Sequence, residues 1–362
     1  MQKMSKKPYI LGIESSCDET SVAIVTRNTS NNKPIVLANI VKNQIDVHKE
    51  FGGVVPELAA RAHSDIIDLL VIKALKKAKL KLENITAVAA TTGPGLLGGL
   101  LVGVIAAKTL SSVLKIPFIS INHLEGHALS AQLEQDISFP YLLLLVSGGH
   151  TEFTIVKKFN SYQRIGTTVD DALGEAFDKT ARLLKLGYPG GPQIEKLAQS
   201  GNENAYELPK PLIHEKNSYF SFSGLKTSVA QLVNKQKKLT PKIKRDIAAS
   251  FQKTIGDIIK IKTKNALKEF TNITNAKNIN IVVAGGVAAN QYLKKTLIQL
   301  ETSDQVKVFF PSMQFCTDNG AMIAYAGLLR HERKMYSKLS VKPKPRWPLD
   351  ERAIFVKGKG IR

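Results

Sequence analysis

Two histidines spaced four residues apart are the first residues in this sequence that can do chemistry together. They stand in the segment His123-Leu-Glu-Gly-His127, and positions i and i+4 share one face of a helix, so both imidazoles can reach one metal ion. In zinc proteases a glutamate directly follows the first histidine and acts as the base, whereas Glu125 is predicted on roughly the opposite face of the helix. The same spacing also suits histidines that only cap a helix or bond within a core, so both interpretations stay open.

Two short polar turns each separate a pair of apolar runs. The segment Leu145–Gly149 reads LVSGG. Its glycines let backbone N–H groups approach a phosphate or carboxylate, and Ser147 adds a hydroxyl. The counterpart is Ile13–Thr20, where carboxylates would repel a phosphate unless water, a lysine or a metal intervenes. No histidine lies near Cys17 in the sequence, so we expect a small buried thiol there rather than a nucleophile.

A third glycine turn joins an apolar run to a helical pattern in the segment VAGGVAAN, which ends at Asn290. This arrangement is typical of a nucleotide site, because the turn lets a nucleoside approach the backbone and Asn290 can bond to it. The segment is not GxGxxG, which disfavours a nicotinamide cofactor. The sequence also lacks the GxxxxGK[ST] pattern of P-loop proteins.

Three carboxylates lie on one predicted helix face ahead of a PGGP turn. They are Asp171, Glu175 and Asp178, and the i, i+4 spacing places them side by side. One interpretation is a solvated face with Lys179 as its partner. The other is a wall that faces a binding cleft, which the rigid turn favours.

A fourth carboxylate, Asp318, stands in the segment CTDNGA before the last predicted helix. An aspartate or threonine in that place usually caps the helix, so Thr317 or Asp318 is the expected cap. Asp318 is also a candidate third ligand for the two histidines. Two histidines and one carboxylate form a facial site with open positions, which is typical of iron.

The hydrophobic pattern predicts a scaffold built twice. Apolar, β-branched runs predict an antiparallel meander that is followed by alternating helices and strands, and the pattern then restarts near residue 141. Two such copies predict two α/β lobes that face each other and bind ligands between them. The predicted strands are 9–14, 21–26, 34–42, 87–92, 118–122, 141–147, 152–158, 163–168, 280–284 and 307–310, and the predicted helices are 56–80, 100–114, 171–186, 241–270, 288–300 and 318–332, with one more opening at His123.

Composition narrows the class of protein further. The chain has 362 residues and a formal charge of +21, from 51 basic and 30 acidic residues, which favours polyanionic partners. No apolar stretch approaches the roughly 20 residues of a spanning helix, and the start lacks an apolar core with a cleavage site. Two cysteines, Cys17 and Cys316, predict no disulfide framework and a cytosolic protein. We expect residues 200–223 to be a mobile insertion and the chain after Met335 to be loosely packed, with one docking point at Trp347.

Taken together, these motifs resemble one family, the universal tRNA threonylcarbamoyladenosine transferases in their bacterial form, formerly labelled O-sialoglycoprotein endopeptidases. The resemblance covers about residues 10–327, nearly the whole chain. The matching stretches are GIESSCDETSVAIV, FGGVVPELAARAH, TTGPGLLGGLLVG, INHLEGHALSA, LLLLVSGGHTEF, TTVDDALGEAFDKTARLLKLGYPGGP, FSFSGLKTSV, VVAGGVAANQYL and CTDNGAMIAYAG.

The resemblance implies a two-lobed α/β fold similar to the actin, Hsp70 and sugar-kinase superfamily, with a nucleotide cleft between the lobes. The N-terminal lobe would take residues 7–134 with the helix 318–335 packed back on it, the C-terminal lobe 135–317, and a basic tail 336–362. It also implies one divalent metal ion, Fe²⁺ first and zinc or manganese next, held by His123, His127 and Asp318. The residues implied at the adenylate are Leu145, Val146, Ser147, Gly148, Gly149, Asp178, Gly191 and Asn290, with Glu195 near them.

The implied reaction transfers the threonylcarbamoyl group of L-threonylcarbamoyl-AMP to N6 of adenosine 37 in tRNAs that read ANN codons. Asp178 is the candidate that accepts a proton or holds the threonyl part. The implied partners are tRNA, an inactive paralogue of the same fold and a small P-loop ATPase. The resemblance implies no membrane association and a location in the cytoplasm. The helix 56–80 is the expected docking surface. A metallopeptidase, an ATP-consuming kinase or chaperone-like ATPase, and an inactive scaffold paralogue are the alternatives.

Overall fold

A computed structural model describes residues 7–301 and 305–353 of the chain. The predictions about a leader segment and about the last residues of the basic tail fall partly on residues 1–6 and 354–362, which lie outside the described residues. By their contacts the described residues form two compact units. Unit 1 takes in residues 7–136 and 311–351, and unit 2 takes in residues 137–301, 305–310 and 352–353.

Strands and helices alternate after an opening meander in each unit. The strands are β1 (Tyr9–Glu14), β2 (Glu19–Arg27), β3 (Pro34–Asn43), β4 (Ala87–Gly93), β5 (Phe118–Asn122), β6 (Tyr141–Val146), β7 (Thr151–Lys158), β8 (Ser161–Thr167), β9 (Ile279–Ala284) and β10 (Val306–Phe309). The helices are α1 (Ile45–His48), α2 (Pro56–Ala78), α3 (Leu97–Leu114), α4 (His123–Leu129), α5 (Leu173–Leu183), α6 (Gly190–Ala198), α7 (Ser223–Asn234), α8 (Pro241–Thr274), α9 (Gln291–Ile298), α10 (Met313–Cys316) and α11 (Gly320–Glu332).

The two units share one sheet topology. Unit 1 has the strand order β3-β2-β1-β4-β5 and unit 2 has the order β10-β9-β6-β7-β8. In each, the first three strands pair antiparallel and the last two lie parallel to the first. The predicted duplication of a meander followed by α/β crossovers is therefore confirmed, and the fold is a two-lobed α/β structure with two mixed five-stranded sheets.

The central strands are buried on both faces, as expected of strands that carry parallel neighbours. Every residue of β6 and β4 is buried. In unit 1 the helix α11 packs across β1 and β2, and it approaches so closely that a Cβ at Gly12 would meet the backbone of Ala324. This contact is made by the helix that directly follows Asp318, and it places that aspartate beside the parallel strands.

Two helices of unit 1 show more exposed apolar surface than their cores require. Helix α2 buries the face that contains Ala59, Ile67 and Ala74, while Leu69 and Ile72 are 50% and 60% exposed. Helix α3 exposes Leu97, Leu101, Ile105 and Val113. Helix α3 has a mean hydropathy of 1.8, and one third of it is buried. By length and composition alone it could cross a membrane, but the core helices of soluble proteins meet the same two criteria. The expectation that no stretch would reach that length and apolarity is wrong for this helix.

Two segments predicted to be loose are packed. Residues 200–223 are irregular as expected, but Phe220 and Phe222 are fully buried and Lys262 Nζ donates to the carbonyl oxygens of Glu215 and Asn217. Between Ser337 and Trp347 the chain is held to the rest of unit 1 by hydrogen bonds to its main chain. Both predictions took polar, proline-rich composition as a sign of mobility, and long-range hydrogen bonds overrode that local signal.

Candidate functional site

The carboxyl ends of parallel strands in unit 1 meet at one edge of the sheet. Strand β5 ends at Asn122, whose side-chain oxygen accepts from the Leu124 amide and caps α4. His123 and His127 are the first and fifth residues of that helix. Asp318 comes directly before the cap of α11 and faces both of them. The fold thus brings the predicted ligands together from positions 191 residues apart.

The three side chains form a compact cluster. Asp318 Oδ1 lies 3.0 Å from Nε2 of His127 and 3.4 Å from Nε2 of His123. The two imidazole rings stand edge to face, with centroids 4.7 Å apart. One ligand atom from each residue lies within 4.8 Å of the others.

His123 is held from behind by buried polar groups. Its Nδ1 lies 3.1 Å from the carboxylate of Glu14 and 3.1 Å from the hydroxyl of Ser16. Glu14 ends β1 and also accepts hydrogen bonds from Thr91 Oγ1 at 2.5 Å and the Ser16 amide at 2.7 Å. A carboxylate bonded to one ring nitrogen fixes the tautomer and aims the other nitrogen, which is how metal-binding histidines are commonly oriented.

The charges in this cluster favour the ionised form of each carboxylate. Burial alone would raise the pKa of Asp318, but the charge of His123 and the hydrogen bonds from both histidines hold it well below its usual value. Glu14 is also buried, and His123 lowers its pKa. Burial opposes a charge on His123, yet Asp318 and Glu14 together raise the pKa of its imidazole well above the ordinary value.

The cluster fits a divalent transition metal. It offers two imidazoles and one carboxylate, a donor set that suits iron, zinc or manganese and leaves coordination positions open. Nδ1 of His127 is buried without a hydrogen-bond partner among the described residues, so this histidine is not satisfied as an ordinary core residue. The capping or core interpretation of the HxxxH spacing therefore accounts for less of the geometry than the metal interpretation does.

Nearby residues have roles that the sequence left open. Glu125 is buried and pairs with Arg330 at 2.7 Å, which removes it as a peptidase base. The predicted cap of α11 was wrong, because Asn319 and not Thr317 or Asp318 accepts from the Met322 amide. Cys17 is half-buried rather than buried as expected. Desolvation and the neighbouring Asp18 and Asp318 raise the pKa of its thiol well above the usual value, so this thiol is a poor nucleophile.

The second group of predicted residues lies within unit 2. The turn Ser147–Gly149 follows the carboxyl end of β6, and the turn at Gly285 follows the adjacent parallel strand β9. A Cβ at Gly285, where φ is 96°, would collide with the Val146 carbonyl oxygen, so only glycine allows the two turns to approach. In open α/β sheets, ligands bind outside such carboxyl ends.

Helix α5 connects these turns to the PGG turn. The Gly174 amide donates to Ser147 O at 3.1 Å, and one helical turn later Asp178 Oδ1 accepts from the Gly190 amide at 2.8 Å. Space above the turns is open, because a Cβ placed at any of three glycines would meet no atom within 4 Å. These are Gly148, Gly149 and Gly191.

Two other predicted residues are engaged with helix α9. Asn290 caps it by accepting from the Leu293 amide at 2.9 Å and donates to Gln252 at 3.1 Å. Glu195 Oε1 accepts from the Gln291 amide at 2.6 Å. Asp171 was predicted on this helix but precedes α5, which begins at Leu173. Glu175 on α5 pairs with Lys179, which also binds Asp171, so those two carboxylates form the surface network that the simpler interpretation predicted.

Sequence reasoning missed the residues that orient the others. Glu14, Ser16 and Thr91 surround His123, and Gln252 bonds to Asn290. The available signal for Glu14 was its place at the end of a predicted apolar strand, at the start of the polar turn Ile13–Thr20. Gln252 lies inside a long helix, where no local pattern marks it.

Comparisons with known proteins agree with this geometry. A family profile described as tRNA N6-adenosine threonylcarbamoyltransferase matches residues 35–325. Proteins of that name from Pelagibacter ubique and Bartonella tribocorum are both 52% identical to the chain. The first covers 99% of this chain and 100% of its own, and the second covers 98% of each. The protein of that name from Rickettsia rickettsii is 50% identical over 94% of this chain and 98% of its own.

Solved structures support the fold alone. A full-length HypF in a phosphate- and nucleotide-bound form superposes with a TM-score of 0.57 at 15% identity, covering 92% of this chain and 57% of that larger one. The HypF of T. kodakarensis gives the same TM-score at 14% identity, covering 90% of this chain and 48% of its own. The profile and the near-full-length relatives together show that the chain is a transferase belonging to the tRNA N6-adenosine threonylcarbamoyltransferase family.

Proposed function

We propose that this chain transfers the threonylcarbamoyl group of L-threonylcarbamoyl-AMP to N6 of adenosine 37 in tRNAs that read ANN codons. The observation that carries the proposal is the cluster of His123, His127 and Asp318 in a chain of this family. A bond forms between N6 and the carbamoyl carbon, and the bond from that carbon to the phosphate oxygen breaks. AMP leaves with the electron pair, and N6 loses one proton.

The chemical difficulty is the weakness of the nucleophile. The lone pair of the exocyclic adenine amine is delocalised into the ring, so the carbonyl carbon must be strongly activated. The mixed anhydride of a carbamic acid and a phosphate supplies part of that activation. The protein has to supply orientation of the anhydride and stabilisation of charge on its oxygens.

His123, His127 and Asp318 would hold the metal, and Fe²⁺ is our first choice, with zinc or manganese as the other ions that the ligands suit. A bound divalent ion supplies Lewis-acid polarisation of a carbonyl or phosphate oxygen. Glu14 contributes by orienting the His123 ring, and its carboxylate is itself held by hydrogen bonds from Thr91 Oγ1 and the Ser16 amide. All of these residues lie in unit 1.

Unit 2 would bind the adenylate. The exposed amides of Gly148 and Gly149 can donate to phosphate oxygens, as glycine turns do in other anion sites. Asp178 and Gly191 border the same open space, and Asp178 either accepts the N6 proton or holds the threonyl group. Because Asn290 and Glu195 already bond to the start of α9, we assign them the shaping of the adjacent turn rather than free contacts to the base.

A reconstituted transfer assay tests the proposal. With unmodified tRNA, threonylcarbamoyl-AMP and the partner proteins, His123→Ala should abolish formation of the modified nucleoside. His214→Ala, which removes an exposed histidine in unit 2, is the matched control and should keep wild-type turnover. Wild-type turnover by the His123 variant would refute the metal role. The absence of product with the wild-type chain would refute the proposed reaction.

The exposed apolar residues of α2 and α3 support a docking surface for the partners that the family implies. We propose that an inactive paralogue of the same fold covers Ile72 and Ile105, which are 60% and 58% exposed, and that a small P-loop ATPase joins the complex. Exposed apolar residues on neighbouring helices are typical of interaction sites. The double variant Ile72→Glu/Ile105→Glu should lose co-purification with the paralogue but keep its own thermal stability.

Since the proposed substrate is tRNA, we place the protein in the cytoplasm.

A further inference from the structure

The segment Ser337–Trp347, which we call the basic strap, is held to unit 1 by main-chain hydrogen bonds. It runs past β5, past the loop after β4 and to the start of α4. Its anchors are Ser337 N to Phe118 O at 2.9 Å, Lys108 Nζ to Val341 O at 2.5 Å, Lys344 N to Thr92 O at 2.7 Å, Gly95 N to Pro345 O at 3.2 Å and Asn122 Nδ2 to Trp347 O at 3.1 Å. The side chains that also hold the strap are Ser337, whose hydroxyl accepts from the Ser120 amide at 3.0 Å, and Val341, which packs against the core; its basic side chains take no part.

Gly93 makes the close approach of the strap possible. Its φ is 151°, in the region that favours glycine, and a Cβ there would collide with the carbonyl oxygen of Lys344. The end of β4 therefore accommodates the strap backbone in direct contact.

The strap has four basic side chains that are exposed to solvent. Lys338, Lys342, Lys344 and Arg346 are exposed, and the segment contains no acidic residue. Lys344 Nζ lies 4.5 Å from the centre of the Trp347 ring. Within the described part of the chain, no carboxylate lies at salt-bridge distance from any of the other three. The cations are thus carried on an ordered backbone without internal neutralisation.

We propose that the basic strap is an RNA-binding surface that contacts the phosphate backbone of the tRNA. The inference rests on the proposed function, because that function makes tRNA the substrate. Unneutralised lysine and arginine side chains bind phosphates through release of counterions, and a pre-ordered backbone lowers the entropy lost on binding. Asn122, which holds the end of the strap, directly precedes His123, so bound RNA would lie beside the helix that carries the two histidines.

The test compares two variants that remove the same charge. The strap variant is Lys342→Gln/Lys344→Gln/Arg346→Gln, and its anchors remain because they use main-chain atoms. The control, Lys235→Gln/Lys237→Gln/Lys238→Gln, removes three exposed lysines from unit 2. Binding of an unmodified tRNA transcript is measured at several salt concentrations. The strap variant should bind roughly 10- to 100-fold more weakly, and the slope of log K against log salt should fall by about 2 to 3.

The control should bind as the wild type does, and a charge-retaining variant, Lys342→Arg/Lys344→Arg/Arg346→Lys, should restore affinity. In the transfer assay the strap variant should raise KM for tRNA and leave kcat at saturating tRNA unchanged. Equal tRNA affinity of the strap variant and the wild type would overturn the inference. It would also be overturned if the strap variant lost binding to vesicles of anionic lipid but kept its affinity for tRNA. A wild-type chain that binds tRNA through the strap but yields no product would refute the proposed function and leave the strap assignment standing.

Discussion

Replacing Glu14 by glutamine tests how the structure prepares His123 for a metal ion. The Glu14 carboxylate is fully buried and lies at hydrogen-bond distance from Thr91 Oγ1, the Ser16 amide and His123 Nδ1. When Nδ1–H donates to this carboxylate, the lone pair of Nε2 is left on the side of Asp318. Glutamine keeps the shape but loses the charge, and its amide group can present an N–H where an acceptor is needed.

The expected cost is a 10- to 100-fold loss of metal affinity, the usual effect of removing an orienting partner of a ligating histidine. That corresponds to about 1.4 to 2.7 kcal/mol. The assay is calorimetric titration of metal-free protein with Zn²⁺ and, under anaerobic conditions, with Fe²⁺. Asp318→Asn, which removes a direct ligand, should lose more, whereas Glu332→Gln changes a carboxylate that pairs with Arg27 and should lose nothing.

Because Glu14 is buried, thermal unfolding of the metal-free variant has to accompany the titration. If Glu14→Gln does not fold, Thr91→Val removes one hydrogen bond to the carboxylate and keeps the charge, and we expect a loss of a few-fold. A folded Glu14→Gln chain that binds metal as tightly as the wild type would refute the orienting role of this carboxylate.

Three further perturbations test other parts of the structure. The Asp170 carboxylate accepts hydrogen bonds from the hydroxyls of Ser221 and Ser223 and from the amides of Phe222 and Ser223, at the start of α7. Burial opposes ionisation of Asp170, but these bonds lower its pKa. Its ionised form therefore stabilises the fold fully above about pH 4. Asp170→Asn should cost roughly 1.5 to 3 kcal/mol at pH 7, and this difference should disappear as the pH falls through the lowered pKa, measured as denaturation midpoints against pH. Gly285→Ala should destabilise unit 2 by about 1 to 3 kcal/mol and weaken AMP binding, read by thermal unfolding and calorimetry, and an unchanged AMP affinity would argue against the turn as part of the site. Gly93→Ala should detach the strap, seen as faster amide exchange at Lys344 and cleavage of the tail by trypsin, and unchanged protection would contradict the docking described above.

Local spacing was sufficient to predict much of the fold. The strands of both meanders and the two-unit repeat follow from apolar, β-branched runs and from the turn residues between them. The i, i+4 spacing of His123 and His127 was also sufficient to place both imidazoles on one helix face. Helix ends were less accurate, since the helix predicted at 288–300 is α9 (Gln291–Ile298) preceded by a short 3₁₀ turn at Gly286–Ala289.

Interactions between distant residues were decided by the tertiary structure. Glu14 reaches His123 only because β1 lies next to β4, which lies next to β5, so that their carboxyl ends share one edge. Asp318 meets His127 because α11 packs across the same sheet and Asn319 takes the capping position. The strap docks because a glycine with positive φ lies opposite Lys344. Periodicity and turn chemistry act over a few residues and can be read along the chain. Strand order and docking depend on which distant surfaces pack together, and no local signal in a single sequence specifies that choice.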